Sequence, residues 1–160
     1  MPNSPITITK ASIEDAEEVL ALQKLAFKSV GEMYNDYTIA PLVQTLEEMR
    51  AQYKTHIILK AIASGLIIGS ARGYLEKDTC YIGRLIVHPD YENRGIGSRL
   101  MKALETEFKQ AKSFELFTGH RNERNLYLYN KLGYKIFKSV PESDNLTIVY
   151  MEKINALPKA

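Results

Sequence analysis

The run Leu85-Ile86-Val87-His88-Pro89-Asp90-Tyr91-Glu92-Asn93-Arg94-Gly95-Ile96-Gly97-Ser98-Arg99-Leu100 decides how the rest of the chain is read. Its first three residues end an apolar strand-like segment and Pro89 stops it. A glycine-punctuated loop then opens into an amphipathic pattern in which Ile96, Leu100, Ala103, Leu104, Phe108 and Ala111 recur at helical spacing. The unit reads as strand, loop, helix. The first turn of a helix carries N–H groups without internal partners at the positive end of its dipole, which is a ready site for an anion. Gly95 and Gly97 lack a Cβ, so a pyrophosphate can approach the backbone closely, and Arg94 and Arg99 can add charge-assisted bonds from the rim. An ordinary strand-to-helix turn needing glycine only for its backbone angles has the same pattern. Two familiar phosphate loops fail: no Gly-Lys-Ser/Thr follows, and Leu100 stands where the dinucleotide fingerprint needs a third glycine.

Working outward, a chain of 160 residues with 45% hydrophobic and 25% charged content reads as a single globular domain over 1–160, ordered over about 5–154. Residues 1–4 and the tail from 155 read as disorder-prone. A formal charge of +2 with no basic cluster gives no sign of a nucleic-acid partner. The single cysteine, Cys80, excludes an internal disulfide. With no charged start followed by an apolar core, and no membrane-length apolar run, the expected place is cytoplasmic, with no membrane partner. His56 and His88 have no companions at metal-ligand spacing, so no metal site is expected.

Alternation predicts a first strand at 6–9, and Ser12 with Asp15 marks the start of a helix ending near Lys28. The pattern breaks over 29–40, with Gly31, Asn35 and Pro41 as punctuation, and a second helix is read over 42–53. Strands at 56–63, 67–75 and 79–87 form a meander joined by hairpin-length turns. After the helix that follows the glycine loop, a strand at 114–118 runs parallel to the one before the loop, since a helix intervenes. A helix over 122–132, closed by Gly133, and strands at 134–140 and 146–152 complete the chain.

The glycine loop resembles motif A of the GNAT superfamily of acyl-CoA-dependent N-acyltransferases, Gln/Arg-x-x-Gly-x-Gly/Ala, matched by Glu92-Asn93-Arg94-Gly95-Ile96-Gly97 with Glu92 as the departure. The run from Asn122 to Tyr134 resembles the family's Asn-x-x-Ala/Ser-x-x-x-Tyr-x-x-x-Gly-Phe, with Asn125 and Tyr134 departing. The element order β-α-α-β-β-β-α-β-α-β-β matches the family over the whole chain. The resemblance implies an α/β GNAT fold, a central mixed and mostly antiparallel sheet of about seven strands flanked by about four helices. It implies acetyl-CoA as co-substrate, its pyrophosphate held by the loop of Asn93, Arg94, Gly95, Ile96, Gly97 and Ser98. It also implies that Asn122 contacts the pantetheine arm and that Tyr129 sits near the sulfur. The segment holding Glu32, Tyr34, Asp36 and Tyr37 would wall the acceptor site, and its acidic groups point to a cationic acceptor. A homodimer fits the family.

Aminolysis of a thioester needs an oxyanion donor and a proton for the leaving thiolate. The strand end at Leu85, Ile86 and Val87 offers backbone N–H groups both for the oxyanion and for pairing with pantetheine. Tyr129 is a neutral proton donor at pH 7. Some family members carry a glutamate base where this chain has Tyr81; here His120, Glu76, Glu123 or water stand open for that role. The expected activity is N-acetyl transfer from acetyl-CoA by direct attack of a primary amine, carried by a small molecule, a peptide amino terminus or a protein lysine. A non-catalytic acyl-CoA-binding module is the alternative, and a nucleotide-binding regulator is a third reading that neither nucleotide fingerprint supports.

Overall fold

The computed structural model describes residues 5–156. Strands β1 (Thr7–Lys10), β2 (Ile57–Ala63), β3 (Leu66–Glu76) and β4 (Thr79–Val87) form an antiparallel meander. Strand β5 (Ser113–Gly119) runs parallel to β4, as its helical connection requires. Strands β6 (Lys135–Pro141) and β7 (Thr147–Ile154) close the sheet antiparallel. Among the described residues the sheet has seven strands in the order β1-β2-β3-β4-β5-β7-β6. It is the mixed, mostly antiparallel sheet that the sequence predicts.

The period-2 alternation of the strands sorts their side chains to two faces. On one face α4 (Ile96–Glu107) and α5 (Glu123–Lys131) pack Leu100, Met101, Leu104 and Tyr129 against Leu59, Ala71, Cys80, Phe114 and Met151. On the other face α1 (Ala16–Tyr34) and α3 (Leu46–Gln52) pack Val19, Leu20, Leu22 and Met49 against Ile67 and Ile86. Cys80 lies fully buried beneath α4, and burial pushes its thiol up to about 12.

The helical layer over α1 departs from the sequence reading in two places. The first helix runs on to Tyr34, beyond the expected end at Lys28, because Gly31 faces the side chains of Leu42 and Tyr37 rather than ending the helix. Asn35, at φ 50°, then terminates it. The single helix expected over 42–53 is two helices, α2 (Ala40–Val43) and α3, because Thr45 takes an extended conformation and forms a capping box with Glu48. Of the segments read as disorder-prone, residues 1–4 and 157–160 lie outside the described residues. Asn155 is fixed instead: its Nδ2 donates to the carbonyls of Lys109 and Ala111 at 2.9 and 2.8 Å.

The two faces of β5 make a test of this arrangement. Phe114 is 1% exposed under α4, whereas Phe117 on the opposite face is 54% exposed. Phe114→Ala is expected to cost about 3–5 kcal/mol in urea unfolding and Phe117→Ala less than about 1 kcal/mol. Equal losses would contradict the assignment of the two faces.

Candidate active site

Parallel pairing of β4 with β5 is limited to Thr79 with Ser113, Cys80 with Phe114 and Tyr81 with Glu115, although both strands continue. Beyond Tyr81 and Glu115 the two strands part. On its other edge β4 stays paired to β3, but the register shifts between Ser70 and Arg72, and Arg84 takes a left-handed φ of 51°. This is a bulge: two residues of β4 stand opposite one of β3, which bends the strand and turns its backbone groups. On the edge of β4 that faces β5, the backbone of Leu85, Ile86 and Val87 therefore has no strand to pair with and is left for a ligand or water.

At the end of β4 a short 3-10 turn, Pro89–Tyr91, leads into the glycine loop. Gly95, at φ 76°, is the N-cap of α4, and no side chain caps the helix. A Cβ on Gly95 would meet nothing within 4 Å, so glycine is required there by conformation and leaves its side of the loop open. Asn93 is also left-handed, at φ 64°. Loop, strand end and helices enclose a cleft of about 690 Å³. Leu85, Ile86 and Val87 of β4 line it, as do Asn93, Gly95, Ile96, Gly97 and Ser98 of the loop. Phe27, Val30 and Met33 of α1 form one wall, and Asn122, Arg124 and Leu128 of the α5 region the other.

Three of the expected residues are engaged elsewhere. Arg94 donates to the Asp90 carbonyl at 3.1 Å and lies over the Tyr91 ring, and Arg99 reaches back to the Ile6 carbonyl at 3.0 Å. Tyr129 is 4% exposed, belongs to the core beneath α5 with its ring 6.1 Å from that of Tyr134, and is not among the residues of the cleft wall. Burial raises its phenol above the ordinary value, so the hydroxyl keeps its proton. Asn122 does line the cleft and also caps α5, its Oδ1 accepting from Asn125 N–H at 3.1 Å.

Sequence similarity to the acetyltransferase (GNAT) family extends over residues 17–134. The chain belongs to that family. UPF0039 protein C11D3.02c of Schizosaccharomyces pombe is 31% identical over 116 residues, covering 66% of this chain and 77% of that protein. UPF0157 protein YqkA of Bacillus subtilis is 27% identical over 135 residues, 83% of this chain; the chain spans 38% of YqkA's length. Among solved structures, the PaiA N-acetyltransferase of Thermoplasma acidophilum in complex with coenzyme A superposes with a TM-score of 0.79 at 21% identity, over 94% of this chain and 99% of the other. The ribosomal-protein-S18-alanine N-acetyltransferase of Escherichia coli gives a TM-score of 0.80 at 16% identity, over 97% of each chain. At these identities the superpositions establish the GNAT fold.

Within that fold the candidate proton acceptors separate. Glu76 ends β3 at the hairpin with Thr79, at the opposite end of β4 from the glycine loop. His120 Nδ1 lies 3.0 Å from the Thr147 N–H and 3.3 Å from the Thr147 carbonyl, so its ring is held against β7. Glu123 lies on the cleft wall. Among the described residues no cluster of His, Cys, Asp and Glu can hold a metal, and no helix is long and apolar enough to cross a membrane.

The segment expected to wall the acceptor site in this GNAT chain is largely self-contained. Asp36 accepts from the Thr38 N–H and hydroxyl, and those bonds hold its carboxyl below the usual range. The Tyr34 hydroxyl accepts from Arg121 N–H at 2.8 Å, and its ring is buried. Glu32 and Tyr37 are exposed. Sequence reading missed the basic groups of the cleft, Arg121, Arg124 and Lys131. The seven-residue spacing of Arg124 and Lys131 on one helix was the available signal. It also missed that Glu92 pairs with Arg124 at 2.5 Å across the cleft mouth.

Gly119 admits Tyr34 to this junction: a Cβ there would collide with the Tyr34 hydroxyl. Gly119→Ala is expected to destabilise the domain by about 1–3 kcal/mol, and most of that cost should vanish in a Tyr34→Ala background. A double-mutant cycle by chemical unfolding measures the coupling, and additive losses would show that the two residues do not meet.

Proposed function

We propose that this chain transfers an acetyl group from acetyl-CoA to a primary amine. One observation carries the reading: the parted edge of β4, the uncapped start of α4 and the capped start of α5 converge on one cleft. The glycine loop fits a pyrophosphate, because its open side at Gly95 adjoins the unpartnered first-turn N–H groups of Ile96, Gly97 and Ser98. The Leu85 to Val87 edge fits the amides of an extended pantetheine arm as an added strand, with Asn122 on the facing wall. Basic side chains at Arg121, Arg124 and Lys131 favour an anionic co-substrate in the same cleft.

In this reading the amine nitrogen attacks the thioester carbon directly, a C–N bond forms, the C–S bond breaks, and a backbone N–H at the bulge of β4 stabilises the oxyanion. Tyr129, protonated at neutral pH but outside the cleft wall, supplies the proton of the departing thiolate through an intervening water, and Glu123 or water takes the proton of the amine. Cys80 is buried under α4 and has no part as a nucleophile. A second reading, an acyl-CoA-binding module without transfer, is favoured by the absence of Tyr129 from the cleft wall.

Thiol release from acetyl-CoA across a panel of amines, beside calorimetric binding of acetyl-CoA, separates the two. Amine-dependent release supports transfer, binding without release supports the module, and no binding overturns both. Gly95→Val strains a left-handed position by about 1–2 kcal/mol, so the fold should persist while acetyl-CoA affinity falls about tenfold or more. Unchanged affinity would remove the loop from phosphate binding.

Tyr129→Phe is expected to lower kcat by about 10²–10⁴ with acetyl-CoA affinity little changed. A general acid works below its pKa. Since burial raises this phenol above its ordinary 10.0, any alkaline loss of kcat due to Tyr129 should lie above pH 10. A tyrosine that matters only for packing would shift unfolding and affinity and leave the pH profile of kcat unchanged.

A further inference from the structure

The face of the sheet beneath α1 and α3 carries two neighbouring arginines that form no ion pair among the described residues. Arg72 of β3 is 2% exposed. Its Nη2 donates to Gln23 Oε1 at 2.5 Å and its Nη1 to Gln52 Oε1 and, at 3.4 Å, to Met49 Sδ, all neutral acceptors. Its Nε is buried without a partner. Arg84, half-buried on the bulge of β4, neighbours Arg72, and its Nε is likewise buried and unpartnered. Among the described residues no carboxylate pairs with the Arg84 guanidinium. The Tyr53 hydroxyl, beside Arg72, is a third buried polar atom with no bond. Asp15, whose charge acts on Tyr53, is engaged by Lys60 at 2.8 Å. His56 faces both arginines and, with burial, they lower its pKa, so it stays neutral at pH 7.

A guanidinium held partly out of water with an unpaired Nε favours an anion beside it. The position is informative as well. Arg84 immediately precedes Leu85 of the cleft wall, and the bulge that carries it lies in the part of β4 that has separated from β5. On the same face Tyr74 stacks on Tyr81, ring centroids 5.3 Å apart, and Tyr81 is the last residue of β4 paired to β5. The arginines thus stand beside the point where the strands open, on the side away from α4 and α5.

We propose that Arg84, the half-buried arginine next to the cleft-wall residue Leu85, is an anion subsite for the acceptor, so that the amine this chain acetylates carries a carboxylate or a phosphate. The inference rests on the transfer reading above and narrows its substrate class. It reverses the sequence expectation of a cationic acceptor, whose carboxylates Asp36 and Glu32 are respectively bonded within their own turn and exposed on α1. An amino acid places amine and carboxylate a few bonds apart, and phosphoethanolamine does so with a phosphate.

The test compares paired acceptors in the thiol-release assay: L-amino acids against their carboxamides, and phosphoethanolamine against ethanolamine. Wild type should prefer the anionic member by about tenfold or more in kcat/KM, and the preferred pair identifies carboxylate or phosphate. Arg84→Gln should reduce the preference to less than about threefold through KM of the anionic acceptor, and Arg84→Lys should restore part of it. Calorimetric titration with acetyl-CoA checks that both variants keep their cofactor site. Equal use of both members by wild type overturns the proposal. So does a loss of kcat in Arg84→Gln that is the same for both members, which would assign Arg84 to the oxyanion or to the fold. If no amine releases thiol, the transfer reading fails by itself; direct calorimetry of the same anionic probes then decides the subsite, with binding lost in Arg84→Gln supporting it and binding absent or unchanged overturning it.

Discussion

The separation of β4 from β5 after Tyr81 and Glu115 is the constraint on which the rest of this molecule depends. A parallel pair inside a sheet ordinarily continues its ladder, because each buried N–H and C=O left over is costly. Here the ladder stops after three pairs while both strands run on. The bulge at Arg84 bends β4 away while keeping it joined to β3, so the opening costs pairing on one edge only. The connection from β4 through α4 to β5 then brings the uncapped start of α4 to the mouth of the opening, and α5 supplies the facing wall. Backbone geometry thus creates a site rich in N–H donors before any side chain is considered.

What holds the opposite wall is polar as much as apolar. Arg72 ties β3 to Gln23 of α1 and Gln52 of α3, and Gln44 bridges the two glutamines. Gln23 also donates to the Pro41 carbonyl of α2 at 2.9 Å. Desolvation lowers the Arg72 pKa to about 10, so the group remains charged at neutral pH inside the core. A charge so placed must be surrounded by dipoles, and meeting that demand sets the positions of three helices relative to the sheet. It holds α1 where Phe27, Val30 and Met33 meet the cleft. The two arginines differ in how the fold meets them: both Nη groups of Arg72 are bonded, whereas no bond to the Arg84 side chain is seen among the described residues.

The fold was legible because its signals are local. Alternation marks the strands, and a glycine loop between a strand and an amphipathic helix gives the parallel β4–β5 pair without any knowledge of contacts. The extension of α1 through Gly31 was illegible, since a glycine that admits Leu42 and Tyr37 cannot be told by sequence from one that ends a helix. The division at Thr45 was present in the sequence as Thr45 and Glu48, a capping pair at the right spacing, which a helix read over 42–53 passes through. For the site, the loop and Asn122 were readable from motif spacing. The bulge at Arg84 was not, because a left-handed arginine leaves no mark in a strand sequence, and the burial of Tyr129 depends on a core that spacing alone does not describe.

Glu92 illustrates how a departure from a family pattern is interpreted once geometry is known. In isolation an acidic side chain beside a phosphate loop argues against anion binding there. In the structure Glu92 pairs with Arg124 at 2.5 Å, with the two side chains 37% and 58% exposed. An ion pair that open to solvent contributes about 0–1 kcal/mol, so Arg124 can exchange Glu92 for a phosphate at small cost. The pair also offsets the Arg124 charge while the cleft is open to water. An acid at this position is therefore compatible with anion binding: the backbone cradle at Gly95 does not involve the Glu92 side chain, and the cation that Glu92 holds already lies on the cleft wall.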